Sequence, residues 1–253
     1  MNKIIKLMVL TGATLLASNA IASDFEAVQS KLEAAMAAEI RTEADTSRDK
    51  NRKPIETLEF FGLEDDMKVI ELIPGGGWYT KLLAPVLADN GKLYVAYGTG
   101  GVEKRLLSKP GFEEVGILGA DASMGRAEGA KFYHANDTDL DVKKVDMVLT
   151  FRNYHNFDDA SRAGINTSAF KALKRGGIYG LVDHTQRHMQ PNDSENRRRF
   201  DPVLAIKEIE AAGFEFVDFS DLHYRADDEL RYEVGRKSVT GNTDRWTLKF
   251  RKP

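Results

Sequence analysis

Between Lys68 and Lys252 short apolar runs alternate with amphipathic segments, and that alternation constrains the fold more than any other feature of the 253-residue chain. KVIELI (68–73), GKLYVAY (91–97), AKFYHA (130–135), VDMVLTF (145–151) and GGIYGLVDH (176–184) have the length and the β-branched or aromatic content of strands. YTKLLAPVLA (79–88), VEKRLLS (102–108) and ASRAGINTSAFKALK (160–174) read as helices between them, and VLAIKEIEAAG is a further helix after Pro202. Parallel strands need crossovers of this length, and the crossover helices then cover both faces of the sheet. An α/β fold follows, a doubly wound, mostly parallel sheet of seven strands. Its last two strands, FEFVDFS (214–220) and RWTLKFRK (245–252), have no helical pattern between them and are expected to form an antiparallel pair at one edge.

Ahead of this unit, Phe25, Val28, Leu32, Met36 and Ile40 recur at helical spacing, so residues 23–62 are expected to form a helical cover over an α/β domain spanning 63–253. A dense charged stretch, 41–54, leads to Pro54, which starts the short helix PIETLEFF before Gly62. Residues 1–22 have the layout of a secretory signal: Lys3 and Lys6, an apolar LMVLTGATLLA, then small residues with a cleavage motif at AIA (20–22) or, fitting nearly as well, SNA (18–20). The apolar region is shorter than the roughly 20 residues that cross a bilayer. An exported, periplasmic product without a stable membrane anchor is therefore expected. The chain has no cysteine, which excludes thiol catalysis and thiolate metal sites. A net charge of −3 gives no global basic field for nucleic acid, and Arg197, Arg198 and Arg199 are expected at a solvated helix end.

In a doubly wound sheet, ligands sit outside the carboxyl ends of the strands. The stretch Pro74, Gly75, Gly76, Gly77 follows the first strand directly, and glycines there let the backbone approach a ligand closely. Three adjacent glycines fit neither the dinucleotide spacing G-x-G-x-x-G nor the P-loop, which disfavours a nicotinamide oxidoreductase. A hydrophobic strand ending on Glu71 before such a loop resembles motif I of the class I S-adenosylmethionine-dependent methyltransferases, with Ile73 standing where that motif has its first glycine. ELIPGGGWYTKLLAP, VLTFRNYHNF, LKRGGIYGLVDH and GNTDRWTLKFRKP are together similar to a bacterial group of predicted methyltransferases, often signal-bearing, that share PGGGWYT and FRN-HN blocks. RDKNRKPIETLEFFG belongs to the same likeness, which covers roughly residues 48 to 253.

The resemblance implies S-adenosyl-L-methionine as cofactor, its methionine part lying over Pro74, Gly75, Gly76 and Gly77, with Glu71 ordering the loop. It implies a ribose-binding acid after the second strand, where this chain has Tyr97, and an adenine contact from Asn136 or Asp137; a capped turn explains those two equally well. Trp78 is expected to wall the site and Tyr79 to pack behind it. Arg48, Asp49 and Arg52 form either a lid or a charged surface.

FRNYHNF (151–157) and VDH (182–184) end neighbouring strands, bringing Arg152, Asn153, His155, Asp183 and His184 to one edge. Methyl transfer to a hydroxyl needs alignment and removal of a proton. The reading is that His155 or His184 is the base, that Asp183 orients an imidazole, and that Asn153 positions the acceptor or the cofactor. His134 is expected to be structural, and His188 and His223 carry no motif. The carboxylates are too scattered to define a metal cage. Two functions follow: methyl transfer to a small molecule, or a noncatalytic protein of the same fold that binds a small ligand.

Overall fold

A computed structural model describes residues 13–136 and 138–253, with side chains from Phe25 onward. The expected signal sequence and its cleavage site lie outside the residues whose side chains are described. In chain order the strands are β1 Lys68–Leu72, β2 Lys92–Ala96, β3 Gly116–Leu118, β4 Met124–Gly125, β5 His134–Ala135, β6 Val145–Phe151, β7 Leu173–His184, β8 Glu215–Ser220 and β9 Arg245–Arg251. The helices are α1 Ala13–Ala37, α2 Glu43–Thr46, α3 Asp49–Arg52, α4 Pro54–Phe61, α5 Thr80–Leu87, α6 Gly100–Arg105, α7 Asp159–Ala172 and α8 Pro202–Ala211.

Seven strands form one sheet in the order β3-β2-β1-β6-β7-β9-β8. β3, β2, β1, β6 and β7 run parallel, and β9 inserts antiparallel between β7 and β8, as the sequence leads one to expect. The outer strand beside β2 differs from the expectation. It is Gly116–Leu118, while AKFYHA contributes only β5, which pairs with β4 in a separate two-stranded ribbon. A three-residue edge strand shows no legible alternation, whereas Lys131, Phe132, Tyr133 and His134 alternate attractively yet all retain solvent contact.

Period-two alternation splits the core between the two faces. Val69, Met147, Leu149, Phe151 and Val182 point to α1, α4 and α5, where Leu32, Leu58, Phe61 and Leu82 bury them. Ile70, Leu72, Val148, Tyr179 and Leu181 point to α7 and α8, against Ile165, Ala169 and Ile209. Asp158 caps α7 by accepting from the Ser161 amide, and Asp201 caps α8 with Pro202 in its first turn. The chain order reverses between β1 and β6, so a crevice opens outside their carboxyl ends. Because β9 is antiparallel, its first residue, Arg245, lies at that same edge, opposite His184.

Candidate functional site

Three parallel strands release the chain at this edge through a left-handed residue: Ile73 (φ 55°) after β1, Tyr97 (φ 58°) after β2 and Arg152 (φ 62°) after β6. For a β-branched residue this backbone is strained, by about 1–2 kcal/mol. Ile73 is held there by its amide on the Ala96 carbonyl (2.8 Å) and by Asn153, whose Nδ2 donates to the Ile73 carbonyl (3.1 Å). The same Nδ2 donates to the Phe151 carbonyl at 3.1 Å, so Asn153 staples the β1 loop to the end of β6. Gly75 (φ 58°) and Gly77 (φ 80°) continue the bend; a Cβ on Gly77 would stand 2.3 Å from Leu106 of the α6 side, whereas one on Gly75 would meet nothing within 4 Å.

A hollow of about 180 Å³ results, walled by the Ile73–Gly76 backbone, Glu71, Trp78, Tyr79, Phe151 and Asn153 and roofed by Asp45, Arg48 and Arg52. Glu71 is buried at its floor and accepts from the Thr80 hydroxyl at 2.5 Å. Burial pushes its carboxyl up to about 7, against the pull of Thr80 and of the Arg52 charge. Trp78 lines the hollow as expected of a wall, and Tyr79 both lines it and packs into the core behind it. Tyr79 stacks on Phe151 with centroids 3.5 Å apart, and the guanidinium groups of Arg41 (5.1 Å) and Arg52 (4.2 Å) lie over the Trp78 ring, whose Nε1 donates to the Asp45 carbonyl (3.0 Å). The short helices α2 and α3 thus form a roof. Lys81 fastens it to α5 through Asp45 (2.7 Å), and Asp49 turns away to pair with Arg41 (2.5 Å).

Arg48, Arg52 and Arg152 also face an adjoining chamber of about 470 Å³, lined further by His155, His184, Arg198, Thr243 and Arg245. Asp183 is fully buried beneath it and accepts three hydrogen bonds: from His155 Nδ1 (2.6 Å), the His155 amide (2.9 Å) and the His184 amide (2.7 Å). A carboxylate on Nδ1 keeps the proton there and leaves Nε2 of His155 as a free lone pair. His184, by contrast, contacts the Thr243 hydroxyl through Nδ1 (2.9 Å) and is pushed well below the usual histidine range, by burial first and then by Arg245, His155, Arg152 and Arg199. It stays neutral and is a poor proton acceptor.

Other expected residues lie elsewhere. Tyr97 points to the α7 face, away from Glu71, with its hydroxyl at the Asn136 carbonyl (3.4 Å) and Ser168 (3.3 Å). Asn136 is the lock of a turn: Oδ1 accepts from the Ser123 amide (2.8 Å) and Nδ2 donates to the Asp121 carbonyl (2.7 Å). This ribbon segment brings the Met124 sulfur against Gly98, just past β2. Asp137 is outside the described residues. His134 and His188 sit on Asp158 and Asp201 respectively. His223 is buried between Thr247 and the Arg52 carbonyl, and burial pushes it down to about 4. The expectation for Arg197–Arg199 fails at Arg199, which is buried and paired bidentately with Asp228 (2.9 Å on both arms) from the 221–244 segment; the three arginines precede α8 in irregular chain. Arg245 escaped the sequence reading, although an antiparallel last strand already places its first residue beside the end of VDH. Among the described residues no group of three or more His, Asp or Glu side chains is placed to hold a metal ion, and no helix is long and apolar enough to cross a membrane.

No protein-family model matches the sequence, and no curated protein does. Solved structures do match in fold. A SAM-dependent methyltransferase from Aquifex aeolicus superposes with a TM-score of 0.55 at 16% identity, over 81% of this chain and 92% of that one. The [4+2]-cyclase SpnF gives 0.53 at 15% identity, over 83% and 81%, and the glycopeptide N-methyltransferase MtfA complexed with sinefungin gives 0.52 at 16%, over 81% and 87%. The chain therefore has the Rossmann-like fold of the methyltransferases. A cyclase among these structures is a reminder that the fold hosts more than one reaction.

Proposed function

We propose that the chain transfers a methyl group from S-adenosyl-L-methionine to a small-molecule acceptor. The observation that carries this reading is the hollow made by the bare backbone of Pro74, Gly75 and Gly76 opening, through Arg52 and Arg152, onto a chamber that contains the His155–Asp183 pair. MtfA, of the same fold, has been solved with S-adenosyl-L-methionine and with S-adenosyl-L-homocysteine. The residues present fit the methionine half of such a cofactor: Gly75 leaves open space on its Cβ side, and the buried Glu71 gains a cation for its carboxylate. Bound there, the cofactor supplies an electrophilic sulfonium methyl.

The protein's own part is orientation and proton removal. Asn153 fixes the loop, the α2–α3 segment and the stacked Tyr79 and Phe151 wall the hollow, and His155 Nε2 accepts the proton of the acceptor hydroxyl while Asp183 stabilises the resulting imidazolium. The depressed basicity of His184 leaves His155 as the base. Calorimetry of S-adenosyl-L-methionine and S-adenosyl-L-homocysteine on the mature chain tests the reading: saturable uptake supports it, and no heat with either ligand on folded protein rejects it.

One observation favours the noncatalytic alternative. Met124 against Gly98, the Asn136 lock and the inward Tyr97 fill the end of β2, where the adenosyl half would extend. If the homocysteine half alone fits, the protein binds a smaller ligand in the same crevice, and the calorimetric result separates the two. We also propose, from the signal-like sequence, that the mature chain acts in the periplasm; its recovery in an osmotic-shock fraction checks this.

A further inference from the structure

We infer that the chamber beside His155 binds a compact anionic group, a phosphate or a carboxylate, carried by the methyl acceptor. Calling the occupant an acceptor rests on the methyl-transfer reading; the anion site itself does not.

Five arginines line the chamber, Arg48, Arg52, Arg152, Arg198 and Arg245, and no acid does. Arg198 is held by Glu233. Arg52 and Arg245 are only 6% and 7% exposed, yet among the described residues no carboxylate pairs with either of them or with Arg152. The Nε atoms of Arg152 and Arg245 are buried with no hydrogen-bond partner, and the Arg52 guanidinium rests on the Trp78 ring alone, with Tyr79 farther off. Elsewhere the chain pairs its buried arginines: Arg41 with Asp49, Arg162 with Glu208, Arg199 with Asp228. Among the described residues, the buried arginines that lack a carboxylate partner, Arg52 and Arg245, both line this one cavity.

Unpaired buried cations are costly, and the half-buried Arg152 beside Arg52 and Arg245 repels both and raises that cost. Burial and the neighbouring Arg152 pull Arg52 down to about 9 and Arg245 to about 10. Guanidinium groups resist deprotonation, so the relief available to them is a counter-anion. The closest acids do not serve: Asp183 is saturated by His155 and two amides, and Glu71 is half protonated near neutrality. Planar forks on several sides match a phosphate or a carboxylate bidentately. A volume of about 470 Å³ suits a small metabolite rather than a polymer. His155 lines the same wall, so an anion anchored on Arg152 and Arg245 would present a neighbouring hydroxyl to Nε2.

The test is thermal melting of the mature chain in inorganic phosphate, sulfate or malonate against chloride at equal ionic strength, with and without saturating S-adenosyl-L-homocysteine. At roughly ten times half-saturation, one of the three anions is expected to raise Tm by about 3–6 °C. A response to phosphate or to its tetrahedral mimic sulfate identifies the headgroup as a phosphate, and a response to malonate identifies it as a carboxylate. The shift should fall at least about fivefold in Arg152→Gln and Arg245→Gln and persist in Arg251→Gln, a surface control. Arg152→Gln should melt no lower than the parent without anion, because it removes repulsion; a merely structural arginine would lower it. Should either variant fail to fold, protection of Arg52, Arg152 and Arg245 from phenylglyoxal by the same anion in the parent protein gives the answer.

No shift over chloride with any anion, an equal shift in the variants, or absence of protection overturns the inference. So does a shift that vanishes with S-adenosyl-L-homocysteine, since the arginines would then hold that ligand's own carboxylate. An anion shift without homocysteine-nucleoside uptake removes the methyl-transfer reading and leaves the anion site standing.

Discussion

The hollow beneath Ile73–Gly76 is walled by main chain, aromatic rings and one buried acid, whereas the chamber next to it is walled by guanidinium groups brought from α2–α3, the β6 end, the segment before α8 and the start of β9. The first is shaped by strain: a left-handed isoleucine held by two hydrogen bonds, and glycines where a Cβ would collide or strain the backbone. Its charge is adjustable, since Glu71 titrates close to neutrality. The second is shaped by charge that the fold leaves uncompensated. A surface of backbone recognises shape and tolerates little substitution; one of arginines recognises charge and loses affinity in steps. On the methyl-transfer proposal, specificity for the cofactor and for the acceptor would accordingly reside in different chambers.

Breaking one chamber should spare the other. His155→Ala is expected to reduce turnover by about 10²- to 10⁴-fold, the usual contribution of a general base, while nucleoside affinity measured by calorimetry stays within about threefold. Equal loss of affinity would move His155 out of the chemistry. Gly75→Phe should weaken S-adenosyl-L-homocysteine binding by at least about a hundredfold by filling the hollow, with a cost in stability of about 1–2 kcal/mol for a left-handed side chain and an unchanged anion-induced melting shift. Retained nucleoside binding would detach the loop from the site.

The Glu71 carboxyl sharpens the contrast through pH. Its pKa in the fold, about 7, exceeds the ordinary 4.5, so the stability it lends is complete below about 4.5 and disappears as the pH climbs through 7. A cationic ligand favours the ionised form, so affinity for S-adenosyl-L-methionine should rise by up to about tenfold from pH 6 to 8, and Glu71→Gln should flatten that slope. A slope that survives in the variant assigns the titration to another group. The smallest effect concerns the closed end of β2. Asn136→Ala should lower stability by about 1–2 kcal/mol in chemical denaturation, from two lost hydrogen bonds, without weakening nucleoside binding. Weaker binding instead would return Asn136 to the ligand.

How far each chamber could be read from the sequence follows from how it is built. Glu71 to Gly77 is one continuous stretch at the end of a strand, so periodicity and loop chemistry suffice to locate it. The His155–Asp183 pair was legible as two neighbouring strand ends, but choosing between His155 and His184 required burial and the positions of Arg152 and Arg245, which no spacing records. The arginine chamber joins residues almost two hundred positions apart; Arg245 Nη1, for instance, reaches the Asn51 carbonyl at 2.6 Å. Arg52 was visible only as either lid or surface, since its buried state depends on Trp78 and on His223 holding its carbonyl from below. The misplaced outer strand has a related cause: AKFYHA has the pattern of a strand, and GIL is too short to have one.

The most direct test is a crystal structure of the mature protein with S-adenosyl-L-homocysteine. The homocysteine chain is expected along the backbone of Pro74, Gly75 and Gly76, with its sulfur directed at the chamber that holds His155. A nucleoside bound at another surface, or an empty hollow at a saturating concentration of the ligand, would contradict the assignment.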